Sequence, residues 1–442
     1  MPNIDLLDTA QVSSVVKRHK VVGMIGKEKK WDIGVSPSVP NSRNPIRTTL
    51  ELITSQPPNP INGPTRSLIN LGLGDPTHYP LHPPPECAID AITRTLKSGK
   101  ANGYLPGAGS LQARSVVVDY HERWDGVAYG LEDVVLTHGV GQGLDLIFSV
   151  LIPHQTVQKC NVLLPRPGFA QYATLLANLG TDVRYYDLLE EQGWEIDLSS
   201  LEDSIDGGTK AIILTNPSNP CGSNYSRSHL QALLDIAEQH KVPIISDEIY
   251  GHMTWDKPFV PLASLSRSVP IITLAGLSKR FLVPGWRFGW VCLHDPLCLA
   301  TKVREGMHVW ANRFMGPNSL VQAALPDILA TPGSWFKVVM DKIQLNAHIL
   351  TTAINTIPGL SCAAPSGALY MLVKIDSSRL HMSDIDFCTS LYREEALFVL
   401  PGICFEAPGY FRAVLSTPAD VMQDVALRLR AFCHRHGGKV CI

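Results

Sequence analysis

The sequence predicts an α/β fold with a mostly parallel sheet flanked by helices, followed by a smaller α+β domain at the C-terminal end. Short apolar, β-branched runs alternate with helix-like patterns over most of the chain, which is typical of crossover units in a parallel sheet. The runs are continuously apolar rather than alternating, as expected for strands buried on both faces. After about Pro317 the order changes to helical patterns followed by strand candidates, which indicates the second domain.

The individual elements follow from these patterns. In the first domain the strand runs are residues 134–136, 162–164, 211–214, 243–245, 271–274 and 290–292. The helical patterns between them include residues 144–151, 172–179 and 230–240. The second domain is predicted to contain helices 320–325 and 338–354, strands 369–375, 398–400 and 411–415, and a final helix from about 418 to 434.

The predicted elements divide the chain into four parts. Residues 1–43 form a basic extension that we expect to be mobile. Residues 44–76 form an arm that contributes to the small domain and the active site, and within it the proline-rich segment 55–64 must be a loop. Residues 77–317 are expected to form the large domain, and residues 318–442 the small domain.

Composition and charge exclude several classes of protein. The chain has 442 residues, of which 45% are hydrophobic and 18% charged, so it is neither disordered nor fibrous. Its 38 basic and 40 acidic residues give a net charge of −2. This balance provides no field that would attract a polyanion, so we expect no nucleic-acid partner.

The cysteine pattern and the N-terminal segment indicate the compartment. The ten cysteines form no CxxC pair, which favours reduced thiols. The first 30 residues lack a secretory apolar core, and no apolar run reaches the length of about 18 residues that a membrane span needs. Asp5, Asp8 and Glu28 are atypical of a mitochondrial transit peptide. We therefore expect a protein of the cytoplasm rather than the mitochondrion, with no membrane partner.

Ligands of open α/β sheets bind beyond the carboxyl ends of the strands, and a glycine-rich turn follows the first strand run. Gly139, Gly141 and Gly143 allow backbone N–H groups to approach an anion, and a helix N-terminus favours phosphate there. A dinucleotide fingerprint would need a third glycine where Leu144 stands, which disfavours a nicotinamide dehydrogenase. A tight turn without any ligand is the remaining alternative for this motif alone.

Polar residues also follow the next strand runs. Asn219 lies in a turn with two Asn-Pro steps, where a rigid amide could donate to a ligand, although an Asn-rich turn explains it as well. Asp247 ends a buried strand, and Tyr250 follows three residues later. A buried carboxylate needs a cationic or hydrogen-bonding partner, but a helix cap is an equal alternative for the aspartate alone.

A lysine and an arginine follow the fifth run. Apolar residues flank Lys279, and partial burial would favour its free amine as a nucleophile. Arg287 lies beside glycines and is suited to gripping an anion. Together these motifs supply an anion cradle, an amide, a carboxylate with a phenol, a lysine and an arginine. This set suits pyridoxal 5′-phosphate, which needs a lysine Schiff base, an acid at its ring nitrogen and phosphate donors.

Specific motifs extend this interpretation from about Asn44 to the C-terminus. They are NPIR (44–47), LGDPT (73–77), NGY (102–104), PRPGF (165–169), NPSNPCG (216–222), DEIYG (247–251), LVPGWRFGW (282–290), PSGALY (365–370) and GYFR (409–412). In this combination the chain resembles the fold-type-I pyridoxal-phosphate-dependent aminotransferases. NPIR, WEIDL (194–198) and LVPGWR favour the tyrosine branch of that family over the alanine or kynurenine branches.

The resemblance implies roles for matching positions. Lys279 would form the Schiff base and transfer protons, Asp247 would pair with the pyridine nitrogen, and Tyr250 and Asn219 would donate to the phenolic oxygen. The phosphate would be bound by the turn at Gly139, by the backbone of Val140 and Gly141, and by Ser278 and Arg287. Tyr104 would reach the phosphate from a neighbouring subunit of a homodimer. Phe169 would stack on the ring of the cofactor. For the substrate, the resemblance assigns the α-carboxylate to Arg412, with Gly74 and Asn219 nearby. Arg47 is a candidate for binding a side-chain carboxylate or closing the pocket, although a surface salt bridge explains it as well.

The expected reaction moves the α-amino group of an aromatic L-amino acid, with tyrosine first and phenylalanine or tryptophan next, to 2-oxoglutarate or pyruvate. Two alternatives keep the cofactor: broad specificity for alanine, methionine, leucine or kynurenine donors, and a β-lyase or cyclase. A regulatory cofactor-binding module is a third. The chain departs from the family at two positions of the phosphate site, where Gly141 and Gly276 replace serines. The Cys433–His436 cluster lacks the second ligand pair of a zinc site, so we expect no metal.

Overall fold

The computed structural model of the chain describes residues 31, 33–36, 38–61, 66–79, 81–153 and 159–437. Most of the predicted extension over residues 1–43 lies outside these residues. The described residues from Ser38 onward form one compact unit. None of the helices in the described ranges is long and apolar enough to cross a membrane.

The strands are numbered in chain order. They are β1 (Ile69–Asn70), β2 (Val134–Thr137), β3 (Asn161–Arg166), β4 (Asp182–Leu189), β5 (Glu195–Ile196), β6 (Thr209–Thr215), β7 (Ile244–Asp247), β8 (Ile271–Gly276), β9 (Gly289–His294), β10 (Leu360–Ser361), β11 (Tyr370–Ile375), β12 (Leu397–Phe398), β13 (Leu400–Pro401) and β14 (Tyr410–Val414).

The helices are numbered in the same way. They are α1 (Ser38–Asn41), α2 (Pro45–Ile53), α3 (Glu86–Ser98), α4 (Leu111–Asp125), α5 (Val140–Leu151), α6 (Gln171–Leu179), α7 (Leu198–Asp203), α8 (Arg227–His240), α9 (Thr301–Ala311), α10 (Ser319–Leu329), α11 (Gly333–Ile354), α12 (Ser377–Leu380), α13 (Asp384–Glu395) and α14 (Ala419–Gly437).

The large sheet has the strand order β2-β9-β8-β7-β6-β3-β4-β5. The strands from β8 through β7, β6 and β3 to β4 run parallel, whereas β9 runs antiparallel between β2 and β8, and β5 runs antiparallel at the far edge. The register aligns Thr215 with Asp247 and Asp247 with Leu274, so the carboxyl ends of three central strands lie side by side. The predicted mostly parallel sheet is therefore confirmed.

Helices cover both faces of this sheet, which explains why its central strands have apolar interiors. One face carries α4, α8 and α10, whose buried residues share a core with β2, β6 and β7. The other face carries α5, α6 and α9, which contribute Phe148, Tyr172 and Met307 to a second core. The two layers enclose the sheet and leave its carboxyl edge to form the cavity described below.

The second sheet is antiparallel, with the order β10-β11-β14-β13, and packs with α11, α13 and α14 around a third core. This confirms the predicted smaller α+β architecture. β1 of the arm pairs in parallel with β12 in a separate two-stranded sheet, whose buried residues belong to the same third core. Helix α10 falls within the part predicted as the small domain, yet it packs against α3 and α4 beside the large sheet. The boundary at residue 318 stays a prediction.

Candidate active site

A cavity of about 490 Å³ lies at the carboxyl edge of the large sheet, between that sheet, the arm and the small sheet. Twelve of the residues that the sequence assigned to the site line it. They are Arg47, Gly74, Val140, Gly141, Phe169, Asn219, Asp247, Tyr250, Ser278, Lys279, Arg287 and Arg412. Their roles stay predictions, but their convergence from segments between residues 47 and 412 is a finding of the structure.

Asp247 is the last residue of β7 and is only 3% exposed. The Tyr172 hydroxyl donates to Oδ2 over 2.7 Å and the Ile249 amide donates to Oδ1 over 3.2 Å. Burial raises the pKa of Asp247 to about 6, although these hydrogen bonds and the charge of Lys279 act in the opposite direction. In the described part of the chain no ion pair neutralises this carboxylate, so a cation that entered the cavity would be strongly favoured beside it.

Lys279 follows β8 in a loop and is partly buried. Its amine donates a hydrogen bond to the carbonyl oxygen of Gly74, which belongs to the arm. This contact directs the amine into the cavity from one side while Asp247 faces it from the sheet. The amine is therefore positioned to attack a carbonyl group or to move a proton in the same space.

The predicted anion cradle lies at the start of α5. Gly139 has a φ of 81°, and a Cβ atom there would lie 2.8 Å from Nη2 of Arg287. The Arg287 guanidinium donates to the carbonyls of Pro284 at 3.0 Å and His138 at 3.3 Å, which holds it beside the helix start. The first N–H groups of α5 have no partner within the helix, so backbone donors and a cation converge on one point.

The structure also explains the two glycines that replace family serines. A Cβ atom on Gly141 would lie 3.1 Å from Nε2 of Gln171, so this side-chain amide occupies space beside the cradle. Gly276 pairs with Gly289 across β8 and β9, and a Cβ atom there would lie 2.7 Å from the Phe288 carbonyl oxygen. The close approach of these strands therefore disfavours a serine at position 276.

Arg412 lies on β14 and is 2% exposed. It donates to the side-chain oxygen of Asn219 over 2.9 Å and to the Gly72 carbonyl over 2.7 Å, while its Nε has no partner. Its guanidinium carbon lies 4.3 Å from the ring centroid of Tyr370 and 4.5 Å from that of Phe405. Burial lowers the pKa of Arg412. A buried cation with free N–H groups and no carboxylate partner in the described residues is suited to binding an anionic group.

Tyr250 and Phe169 complete the walls. The Tyr250 hydroxyl lies 2.7 Å from the hydroxyl of Tyr370, and burial raises the pKa of Tyr250 well above its ordinary value, so the phenol remains a donor. Phe169 is half-buried and contacts the Tyr172 ring edge-on at 5.7 Å. Ser278 is buried beside Lys279.

Tyr104 does not line this cavity. It is 87% exposed and lies beside a separate surface hollow with Lys100 and Gly103. The sequence assigned it to the cofactor of a neighbouring subunit, which one chain does not test. Among the described residues no cluster of three His, Cys, Asp or Glu side chains could hold a metal ion.

The sequence missed several residues of the site. Tyr172 and Thr215 position Asp247, with their hydroxyls 2.8 Å apart, and Gly72 accepts a hydrogen bond from Arg412. Tyr370 was present in the PSGALY motif without a role. For Tyr172 the only signal was its position three residues after the end of PRPGF, at the start of a helical pattern.

Comparisons with known proteins agree with this geometry. A sequence profile of aminotransferase class I and II matches residues 66–429. The chain is 39% identical to tyrosine aminotransferase of Bos taurus over 96% of this chain and 94% of the relative. It is 38% identical to the S-alkyl-thiohydroximate lyase SUR1 of Arabidopsis thaliana over 85% of this chain and 82% of the relative.

Among solved structures, tyrosine aminotransferase from Leishmania infantum is similar, with a TM-score of 0.86 and 32% identity over 92% of this chain and 99% of that chain. The similarity to the Bos taurus enzyme spans nearly the whole length of both chains, and the profile covers both sheets. The chain is therefore a member of the class I and II aminotransferase family.

Proposed function

We propose that this aminotransferase uses pyridoxal 5′-phosphate to move the α-amino group of an aromatic L-amino acid to a 2-oxo acid by a ping-pong mechanism. Tyrosine is the first candidate donor, followed by phenylalanine and tryptophan, and 2-oxoglutarate or pyruvate is the acceptor. The observation that carries the proposal is the convergence of Asp247, Lys279 and Arg412 on one cavity. The similarity to two tyrosine aminotransferases supports the choice of donor.

Three features of the cavity fit this cofactor. Asp247 is a buried carboxylate that forms no ion pair with the described residues, which suits a protonated ring nitrogen. The turn at Gly139, the first amides of α5 and Arg287 suit a phosphate, and a Cβ atom on Gly139 would come too close to that arginine. Arg412 fixes the oxygen of Asn219, so the amide nitrogen keeps its protons for the cofactor's phenolic oxygen, to which Tyr250 would also donate.

When bound, the cofactor withdraws electrons from the α-carbon of the substrate and carries the amino group between the two halves of the reaction. The side chains of this protein do the remaining work. Arg412 binds the α-carboxylate and fixes the direction of the Cα–H bond, which is a positioning effect. The Lys279 amine takes the proton from the α-carbon, and such general acid–base transfer typically contributes about 10²- to 10⁴-fold. The Asp247 carboxylate holds a proton on the ring nitrogen.

The outer part of the cavity suits two kinds of side chain. Ile46, Leu73 and Leu175 give it apolar walls that would accept an aromatic ring. Arg47 on α2 lies at the exposed side and has no acidic partner among the described residues. We propose that Arg47 assists the second carboxylate of 2-oxoglutarate, which would let one cavity serve both substrates.

We also propose a homodimer with shared active sites in the cytoplasm. The exposed Tyr104 supports the dimer, because a ring 87% exposed lacks a place within its own chain. Sedimentation and the activity of mixed dimers would test this: a Tyr104→Phe chain combined with a Lys279→Ala chain should regain activity at one site in each mixed dimer. A strictly monomeric active enzyme would contradict it.

The function is tested by an absorbance spectrum of the purified protein followed by a screen of amino donors with several oxo acids. Lys279→Ala should remove the visible absorbance of the bound cofactor and nearly all turnover. Lys302→Ala, an exposed lysine of α9, is the matched control and should behave as the wild type. Retained turnover in Lys279→Ala would contradict the assignment.

A β-lyase is the second candidate, because the chain is also 38% identical to a plant lyase. A lyase releases ammonia and needs no oxo acid, whereas an aminotransferase depends on one. Turnover of a donor in the absence of any oxo acid would therefore favour the lyase.

A further inference from the structure

Tyr370 lies at the point where the arm and the two sheets meet. It is the first residue of β11, is fully buried and lines the cavity. Its hydroxyl lies 2.7 Å from that of Tyr250, which follows the large sheet. A Cβ atom on Gly74 would overlap the same hydroxyl, so the arm closes directly against it.

The ring of Tyr370 also supports Arg412. Tyr370 is paired with Val414 and Leu372 with Arg412 across β11 and β14, so the tyrosine and the arginine are diagonal neighbours on one face of the sheet. The guanidinium carbon lies 4.3 Å from the ring centroid, within the range of a cation–π contact. Because Arg412 is buried without a carboxylate partner among the described residues, this contact stabilises its charge where water cannot.

The direction of the hydrogen bond between the two tyrosines decides whether the Tyr250 hydroxyl can donate into the cavity. Each hydroxyl has one proton, so Tyr250 can donate into the cavity only if Tyr370 donates to it. Burial keeps the Tyr250 phenol protonated, and the groups that act on it are Tyr370, Arg412 and Asp247. A hydroxyl that accepts one hydrogen bond becomes a better donor in the next.

We propose that Tyr370 is a positioning residue, whose hydroxyl donates to Tyr250 and whose ring supports Arg412. One side chain thereby fixes both the phenol that faces the cofactor and the cation that binds the substrate carboxylate. The inference rests on the proposed function, because that function gives Tyr250 and Arg412 their roles. The alternative is a tyrosine that only fills the core, whose loss would lower stability and change nothing else.

Two substitutions separate the two contacts. Tyr370→Phe removes the hydroxyl and keeps the ring, whereas Tyr370→Leu removes both. In the holoenzyme, Tyr370→Phe should raise the pH midpoint of the cofactor's visible absorbance change by about 0.4 to 1 unit, the effect of one ordinary hydrogen bond. The dissociation constant of 3-phenylpropionate, a carboxylate without an amino group, should change less than about twofold in Tyr370→Phe and increase about 5- to 30-fold in Tyr370→Leu.

A double-mutant cycle identifies the partner of the hydroxyl. In a Tyr250→Phe background, Tyr370→Phe should no longer shift the absorbance midpoint. Tyr129→Phe is the matched control, since Tyr129 is buried, bonds to Thr273 at 3.3 Å and lies outside the cavity. It should leave both readouts unchanged. Thermal unfolding checks that each variant folds. If Tyr370→Leu does not fold, the absorbance midpoint of Tyr370→Phe remains the test.

The results distinguish the inference from the function on which it rests. A wild-type protein with normal cofactor absorbance and transamination, but with no midpoint shift in Tyr370→Phe, would overturn the inference alone. The same holds for a shift that persists in the Tyr250→Phe background. A wild-type protein without cofactor absorbance would overturn the proposed function and this inference together.

Discussion

Replacing Asp247 with asparagine should stabilise the protein without cofactor while it impairs the enzyme. Burial raises the pKa of this carboxyl from its ordinary value of 3.8 to about 6. A carboxyl with a raised pKa stabilises the folded state below its unfolded pKa and loses this contribution as the pH rises through the folded pKa. The difference of about 2 units corresponds to a cost of about 3 kcal/mol in the free energy of unfolding near neutral pH.

Asparagine fits the same hydrogen bonds without the charge. Its side-chain oxygen can accept from the Ile249 amide, as Oδ1 of Asp247 does. Its nitrogen can donate to the Tyr172 hydroxyl, which can then donate to Thr215, 2.8 Å away. The substitution therefore keeps both hydrogen bonds of the side chain, and the charge penalty is the main difference.

The assay is urea unfolding of the cofactor-free protein. Asp247→Asn should increase the free energy of unfolding by about 3 kcal/mol near pH 7.5 and by about half as much near pH 5, because protonation already relieves part of the penalty there. Asp203→Asn, an exposed aspartate of α7, is the control and should change it by less than about 0.5 kcal/mol. The holoenzyme of Asp247→Asn should lose most of its turnover. A cofactor-free variant no more stable than the wild type at neutral pH would refute the reasoning.

Three further substitutions test other parts of the site. Arg412→Met should lower kcat/KM about 100-fold or more for both the amino acid and the oxo acid, since each has an α-carboxylate; a loss for only one substrate in steady-state kinetics would argue against this role. Gly139→Ala should weaken binding of pyridoxal phosphate about tenfold or more in an equilibrium titration, because it forces an L residue to a φ of 81° and displaces Arg287. Unchanged affinity would contradict the proposal that this turn binds the phosphate. Gly276→Ser should lower stability by about 1–3 kcal/mol, because its Cβ would lie 2.7 Å from the Phe288 carbonyl oxygen, and an unchanged unfolding curve would show that this close approach is absent.

The sequence predicted the centre of the fold better than its edges. The interiors of β3, β6, β7 and β8 are apolar because helices cover both faces. A predicted run lies within β3, β6 and β8, and the run 243–245 overlaps β7, which begins at Ile244. β4 was missed because it lies near the sheet edge, where Asp182, Arg184 and Asp187 interrupt the apolar pattern. The antiparallel direction of β9 was also not predicted, since direction depends on the neighbouring strands and not on the local pattern.

In the site, the sequence predicted the residues that follow strand runs directly, but it missed those whose role depends on a distant partner. Asp247, Lys279 and Asn219 follow strand runs directly, so the rule that ligands bind at carboxyl strand ends located them. Tyr172 lies near the start of a helix and Tyr370 at the start of a strand, where an aromatic side chain is easily interpreted as part of the core. Their partners Asp247 and Tyr250 are 75 and 120 residues away in sequence, and only the folded chain brings the hydroxyls together.

The central claim is that one cavity uses Lys279 to move an amino group from an amino acid to a bound cofactor. A single-turnover experiment tests it most directly: L-tyrosine is added to the holoenzyme without any oxo acid, and both products are measured. We predict about one equivalent of the corresponding oxo acid per active site, no free ammonia, and no product from Lys279→Ala. Continuous turnover with ammonia release, or product from Lys279→Ala, would contradict the account.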